Sequence, residues 1–486
     1  AAAAAVIGFV LVWTVFHAVS HNTHAINDDT AEAYVWGQQF EWGYWKHPPF
    51  WAWIAGAWFD VFPRNGWFVA LLASCNAAVG LIGAWRLNGC FVRGQQRTAA
   101  TVLLLLTPLY TLLGFKYNAN SIFVSLWPWT AFFFMRSIER RSVGYSVLFG
   151  VMAGFDMLSK YYAVLLLVTC FCAALAHPAR ERYFRSPLPW IAMAIAAVLF
   201  APHLVWLAHN DYTTLHYFNH ETGNSFVFVG LQFINLICEC IGYNLLVVIL
   251  VMAVTRTTPR DWMTRFKALR HDAHFRVLLI LALLPAVLTL LCSVLFRVTI
   301  SSNTMIGVFC LTPVVFLELA RPSDAGKIFR VSALSAAVIA VLALFAAPAM
   351  GAHGVRDLAI HEYVAQRIDS LWKQNTNAPL AYVTGSEPFA EELAFYLPER
   401  PREFIRYSFV DAPWVTAADL ARDGFAAVCI AGDARCLAQA RAFAPGRVVQ
   451  QTLPPLRHLG SGKKAREALV LIVALPSLKS APGKPS

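Results

Sequence analysis

Asp28-Asp29-Thr30-Ala31-Glu32-Ala33-Tyr34-Val35-Trp36, followed by Gly43-Tyr44-Trp45-Lys46-His47-Pro48-Pro49-Phe50-Trp51-Ala52-Trp53, is the stretch on which the reading of this chain turns. It is a long polar and aromatic loop between apolar runs. It sets carboxylates at positions 28, 29 and 32, then the cationic pair Lys46 and His47, then a Pro-Pro corner. Charge of both signs at a membrane edge is costly unless it is used.

The membrane follows from composition. Of 486 residues 58% are hydrophobic and 14% charged, with a mean hydropathy of +0.53, far more apolar surface than a soluble core absorbs. A net charge of +11 suits nucleic acid only where Lys and Arg gather on one soluble face. Here they fall between apolar runs, so no nucleic-acid partner is expected and the charge reads as topology.

The run from Ala1 to about Ser20 lacks the basic flank of a signal peptide and is read as a span that stays. Further runs able to cross about 30 Å of hydrocarbon occur near 67–86, 98–115, 119–136, 188–207, 229–254, 275–295, 302–320 and 330–349. Region 143–176 holds two short runs broken at Ser159-Lys160 and is read as a helical hairpin. The expected fold is mainly α, polytopic, with about eleven transmembrane helices. Loops carrying Arg86, Arg136, Arg180, Arg256 and Arg321 with their basic neighbours alternate with loops nearly free of Lys and Arg. The positive-inside rule puts the basic set in the cytoplasm. The opposite face then holds loop 20–66, the Lys116 turn, the Ser159-Lys160 break, loop 208–226 with Glu221, the Arg297 turn and everything after Gly351.

After residue 350 the pattern changes. Amphipathic 355–373, a short strand at Leu380–Val383, helix-like 387–397, strand-like Ala426–Ile430 and a final apolar run Ala468–Leu475 predict a small α/β domain, 351–486, outside the membrane. The last residues, rich in Pro, Gly, Ser and Lys, are expected to be disordered. Cys429 and Cys436 are either a short-range disulfide or two thiols, since that compartment is oxidising.

The unusual ionisable groups converge on this outer face. Asp29 and Glu32, three apart, look in nearly one direction if a helix opens there, although either Asp28 or Asp29 also suits an N-cap. One of these acids suits a general base toward a hydroxyl. Lys46 and His47 sit where Pro48-Pro49 forces a turn, and cations there suit a phosphate. Lys116, Lys160 and Arg297 face the same compartment, as do Asn118, Asn120, Tyr161 and His203. Asn118 and Asn120 suit sugar hydroxyls or a helix cap. The pairs His17/His21 and His216/His220 have i,i+4 spacing but no zincin pattern, so no metal ligand set is assigned and a divalent cation stays open.

With these residues in hand, the chain resembles the bacterial branch of glycosyltransferase family 39, GT-C transferases that include protein O-mannosyltransferases and the lipid A aminoarabinose transferase. The likeness rests on Asp29-Thr30-Ala31-Glu32-Ala33 with Trp36-Gly37, on Gly43-Tyr44-Trp45-Lys46-His47-Pro48-Pro49 with Trp53, and on Pro108, Tyr110, Asn118-Ala119-Asn120 and Trp127. It continues through Leu158-Ser159-Lys160-Tyr161, Pro202-His203, Ala394-Phe395-Tyr396 and Arg400-Pro401. It implies a polyprenyl-phosphate sugar donor used on the periplasmic face of the bacterial inner membrane, with inversion, and a glycolipid, glycan or protein acceptor. By position Asp29 matches the proposed base, with Asp28 as the alternative and Glu32 as the second acid. Lys46 matches the cation that contacts the donor phosphate, with Lys160, Arg297 and Lys116 as further phosphate contacts. Tyr44, His47, Asn118, Asn120, Tyr161 and His203 are the expected substrate contacts. A flippase, or a non-catalytic binder of lipid-linked sugars, would also set charges at membrane level. Neither inverted halves nor helices broken at the midplane stand out in the sequence.

Overall fold

A computed structural model describes every residue except 1, 115, 221, 224, 299, 301, 354–356, 388, 456–467 and 478–486. Glu221, the side chain of His220 and the Pro/Gly-rich end therefore lie outside the described residues. Among the described residues, six helices are long and apolar enough to cross a membrane: α1 (Ala2–Ser20), α4 (Gly66–Asn88), α10 (Leu188–His209), α12 (Phe226–Thr255), α14 (Ala273–Phe296) and α16 (Ala325–His353). Between them lie α2 (Asp28–Gly37), α3 (Phe50–Val61), α5 (Gly94–Leu104), α6 (Phe123–Arg140), α7 (Val143–Met157), α8 (Val164–Ala176), α9 (Arg180–Phe184), α11 (Thr213–His220), α13 (Pro259–Leu269) and α15 (Thr312–Ala320).

The chain is the polytopic helical protein that hydropathy predicts, but several expected spans are shorter than their apolar runs. The run 98–115 stops as a helix at Leu104, before Pro108, which lacks an N–H and opens a single 3-10 turn through Tyr110. The run 302–320 becomes short turns before α15, with Pro313 at its start. The hairpin 143–176 breaks where expected: the N–H groups of Ser159 and Lys160 both close on the carbonyl of Asp156, at 3.0 and 3.2 Å, and the chain restarts in α8. Small residues let these helices approach. A Cβ added at Gly80 would stand 2.2 Å from the Val124 carbonyl on α6, and one at Gly150 would stand 2.5 Å from the Ala192 carbonyl on α10.

The C-terminal region is α/β, as its alternating pattern predicts. α17 (Leu358–Asn375), α18 (Phe389–Tyr396), α19 (Ala417–Asp423) and α20 (Ala434–Ala442) accompany a five-stranded mixed sheet of order β2-β1-β3-β5-β4. Its strands are β1 (Tyr382–Gly385), β2 (Arg402–Glu403), β3 (Phe425–Ile430), β4 (Val448–Leu453) and β5 (Leu469–Ala474). β1 runs parallel to β2 and β3, while β5 runs antiparallel to β3 and β4, with Ala427 opposite Ile472 and Gln450 opposite the same residue. β5 is buried along its whole length, which is why it reads as an unbroken apolar run. Cys429 and Cys436 form a disulfide at the end of β3.

This region is docked onto the segment between α1 and α4. The ring of Phe395 on α18 meets Tyr34 of α2 edge-on at 5.3 Å and Phe59 of α3 at 5.4 Å, and each such aromatic pair adds roughly 0.5–1.5 kcal/mol beyond area burial. Arg64 donates from Nη1 to the carbonyls of Phe395 and Leu397 at 2.9 and 3.0 Å, so a cation closes the C-terminus of α18. The Leu358 N–H reaches the Thr23 carbonyl, and the Ala25 N–H reaches Asp357 Oδ1.

Candidate active site

The site is built on the start of α2. Asn27 stands extended as its cap residue while its carbonyl accepts from Thr30 and Ala31, so Asp28 and Asp29 occupy the first turn. Carboxylates there are favoured by the helix dipole. Thr30 Oγ1 donates to the Tyr117 carbonyl at 3.1 Å, which pins the helix to the Lys116–Asn120 turn.

The two adjacent acids face different partners. Asp29 is exposed and its Oδ2 accepts from Asn118 Nδ2 at 2.9 Å. Asp28 shares a hydrogen bond with Glu392 of α18, and the Glu392 carboxylate pairs with His361 Nε2 on α17. Burial raises Glu392 above the usual carboxylate range, His361 pulls it back down, and Asp28 adds to the rise.

Asn118 is itself held rigidly. Its Oδ1 accepts from the N–H groups of Asn120 and Ser121 at 2.9 and 2.8 Å. Asn120 Oδ1 accepts from Lys160 Nζ at 2.8 Å, so the α7/α8 break meets the same turn. Around this turn lies a cavity of about 260 Å³, walled by Lys116, Asn118, Asn120, Ser121 and Asn303 and closed by Leu113 and Ile306. That is slightly below the ~300 Å³ at which pockets for drug-sized ligands begin, and suits one sugar ring.

The Pro-Pro corner is fastened to the same break, through the Phe50 N–H and the Leu158 carbonyl at 2.8 Å. His47 is thereby set near Lys160 and Lys46. Burial, and then those two charges, hold its imidazole well below the usual range, so it is neutral. Lys46 Nζ is ion-paired with Glu32 and lies 4.8 Å from the centre of the Trp45 ring. Arg406 of the C-terminal region lies 4.7 Å from the same ring. Burial works against the Lys46 charge, but Glu32 and then Glu391 outweigh it and hold the ammonium above its ordinary value. Burial raises Glu32 to about 7 against that pull, with Asp29 and Glu387 adding to the rise. Burial also drives Glu391 and Glu403 well up, and Glu403 Oε2 has no hydrogen-bond partner among the described residues.

Three expected contacts are built into the frame. Tyr44 is fully buried, stacked on Trp36, and its hydroxyl donates to the Trp36 carbonyl at 2.6 Å, so it is not presented to a substrate. His203 Nδ1 lies 2.7 Å from the Trp42 carbonyl, which can only accept, so that nitrogen carries the proton. Nε2 of the neutral ring then accepts from the Tyr161 hydroxyl at 2.7 Å. Arg297 ends α14 in a left-handed conformation, 5.4 Å from the centre of the Phe226 ring, and does not line the cavity. Among the described residues no three His, Cys, Asp or Glu side chains form a group that could hold a metal ion. Asn303, His361, Glu391, Glu392 and Glu403 escape a reading of the sequence. They reach the loop from segments some hundreds of residues away, and no local spacing signals the meeting.

Residues 46–206 match the family model described as dolichyl-phosphate-mannose-protein mannosyltransferase. Over 215 residues the chain is 28% identical to the lipid A galacturonosyltransferase RgtD of Rhizobium johnstonii, covering 43% of this chain and 44% of that protein. Over 203 residues it is 29% identical to the lipopolysaccharide core galacturonosyltransferase RgtB of the same organism, covering 40% of each. The matches thus span less than half the length of these relatives. The fold is similar to that of ArnT from Cupriavidus metallidurans, solved bound to undecaprenyl phosphate, with a TM-score of 0.62 and 16% identity over 97% of this chain and 98% of that one. The apo state of the same protein gives 0.60. These likenesses show a multi-pass helical fold shared with ArnT, and a resemblance to sugar transferases over less than half of the chain.

Proposed function

We propose that this protein is an inverting glycosyltransferase that moves a sugar from a polyprenyl-phosphate donor to a lipopolysaccharide lipid at the periplasmic face of the inner membrane. Its likeness to galacturonosyltransferases makes a uronic acid the proposed sugar. The observation that carries the reading is Asp29: an exposed carboxylate hydrogen-bonded to Asn118, which lines a cavity of about 260 Å³, with Lys160 joined to the same turn through Asn120. A lipid phosphate leaves already ionised, so it needs positive charge more than a protonating acid. Lys160 supplies it, joined by Lys46 when that side chain exchanges Glu32 for the phosphate. Arg297 and Lys116 are the remaining proposed phosphate contacts. Asp29 takes the proton of the acceptor hydroxyl as it attacks the anomeric carbon opposite the departing phosphate. The polyprenyl chain, lying along lipid-facing helices, adds binding energy remote from the reacting centre.

The basic loops and the Cys429–Cys436 disulfide independently support the outward orientation. Because α18 is docked on α2, the compartment of the disulfide is also that of Asp29. The test is Asp29→Asn, assayed for sugar transfer to lipid A or core acceptors. The expected loss is roughly 10²–10⁴-fold, the usual contribution of a general base, with thermal unfolding unchanged. Transfer at the wild-type rate would remove Asp29 from the chemistry and the reading with it.

A further inference from the structure

α13 joins the ends of α12 and α14 that lie away from Phe226 and Arg297, through the short links 256–258 and 270–272. Both neighbours are long and apolar enough to cross a membrane, so α13 is held where their apolar lengths stop. It does not project from the bundle. Trp262 is buried and stacked on Phe316 of α15, with ring centres 5.8 Å apart, and Phe266 meets Phe275 of α14 edge-on at 6.2 Å. Going round the helix at about 100° per residue, buried Trp262 and half-buried Leu269 give way to Phe266, then Met263, then Lys267 and Arg260. Phe266 and Met263 are 37% and 56% exposed. Arg260, Lys267 and, at the two ends, Arg256 and Arg270 are exposed too. The neighbouring acids are engaged in helix caps, Asp261 with the N–H and hydroxyl of Thr258 and Asp272 with the Phe275 N–H.

We propose that α13 lies in the plane of the membrane interface and binds acidic phospholipid, with Met263 and Phe266 among the acyl chains and Arg256, Arg260, Lys267 and Arg270 on the headgroup phosphates. An apolar stripe beside a basic one is the arrangement of a helix that lies in that plane. The order around α13 is protein, then hydrocarbon, then headgroup. Long basic side chains reach the phosphates while their stems stay in the apolar layer. A soluble anion would satisfy the cations but leave Met263 and Phe266 in water, so the apolar stripe selects a lipid. A zwitterionic headgroup brings its own ammonium, so four cations on one short segment select a lipid with net negative charge. The inference is independent of sugar transfer and of which face is periplasmic, because the pattern requires only a bilayer.

The experiment uses the full chain in nanodiscs of phosphatidylcholine alone or mixed with phosphatidylglycerol. Amide exchange over residues 259–270 is followed by mass spectrometry, as a measure of local opening. Wild type should exchange there at least about fivefold more slowly in the mixed discs, the worth of one basic side chain at an anionic surface. High salt should erase that difference. The combined variant Arg260→Gln, Lys267→Gln, Arg270→Gln should exchange alike in both discs. Met263→Ser should speed exchange in both, since its side chain meets the acyl chains of either lipid. Equal exchange of wild type in the two discs, or slowing that survives in the combined variant, would overturn the assignment. Unchanged exchange in Met263→Ser would take the helix out of the acyl layer and overturn it as well. If inorganic phosphate added to phosphatidylcholine discs slows exchange as much as phosphatidylglycerol does, α13 is a site for a soluble anion and the lipid assignment falls.

Discussion

Asp28 and Asp29 are neighbours in sequence and serve different surfaces, because successive residues on a helix point about 100° apart. The sequence shows two acids and a helix start; which acid meets Asn118 and which meets Glu392 depends on partners no local pattern names. The same limit applies to Lys46. Its place before Pro48-Pro49 is legible, but its pairing with Glu32 depends on how loop 38–49 folds back over α2. Lys46→Met should therefore cost stability as well as donor use. Breaking a buried ion pair from one side costs about 3–5 kcal/mol. Because the Lys46 side chain is 24% exposed, a loss of roughly 2–4 kcal/mol is expected, read as a lower unfolding midpoint. A midpoint unchanged within error would show that the pair adds no net stability.

At the scale of elements, the hinge of the structure is the docking of α18 on α2. Helix-like 387–397 is readable from its composition, and so are β3 and β5 from their apolar runs. β4 and α20 are not, since β4 is an edge strand with mixed burial and α20 is only nine residues long. The docking surface brings together Asp28, Asp29 and Glu32 from α2, Lys46, Glu391 and Glu392 from α18, Asp357 and His361 at α17, Glu403 of β2, and the Glu387–Arg406 pair. Glu32, Glu391, Glu392 and Glu403 are all raised, chiefly by burial. Burial opposes the His361 charge, but Glu392 outweighs it and holds the imidazolium above its ordinary value. Each of these groups binds its proton more tightly in the folded state than in the unfolded chain. Their contribution is therefore complete below the unfolded values, 4.5 for the acids and 6.5 for His, and is lost as pH rises through the folded values, near 7 for Glu32. Backbone amides of Phe389–Tyr396 should exchange faster at about pH 8 than at about pH 5.5 after correction for intrinsic rates. Glu403→Gln should flatten that difference, and a trend of the opposite sign would remove the carboxyl cluster as its cause.

For the whole molecule, hydropathy and loop charge carried most of the fold, because lipid exposure and burial both select apolar residues. The number of long spans was less legible for the same reason: a buried short helix such as α15 and a lipid-facing one read alike. Orientation is testable directly. A cysteine placed at Gln450 on the edge strand should react with a membrane-impermeant maleimide added from the periplasmic side, and one placed at Arg260 should react only after the membrane is breached. The reverse pattern would invert the topology and remove the periplasmic assignment.

One dimension of the molecule bears on how its lipids arrive. α12 runs 30 residues, about 45 Å at 1.5 Å per residue, against about 30 Å of hydrocarbon. Its first residues, Phe226, Val227 and Phe228, are apolar and 69%, 76% and 47% exposed, so the surplus cannot stand in water. Hydrophobic mismatch of this size is met by tilt together with local thickening of the bilayer. That apolar end of α12 lies beside the Arg297 turn, 5.4 Å from the guanidinium to the Phe226 ring, so tilt or thickening at α12 acts on the same end of the molecule.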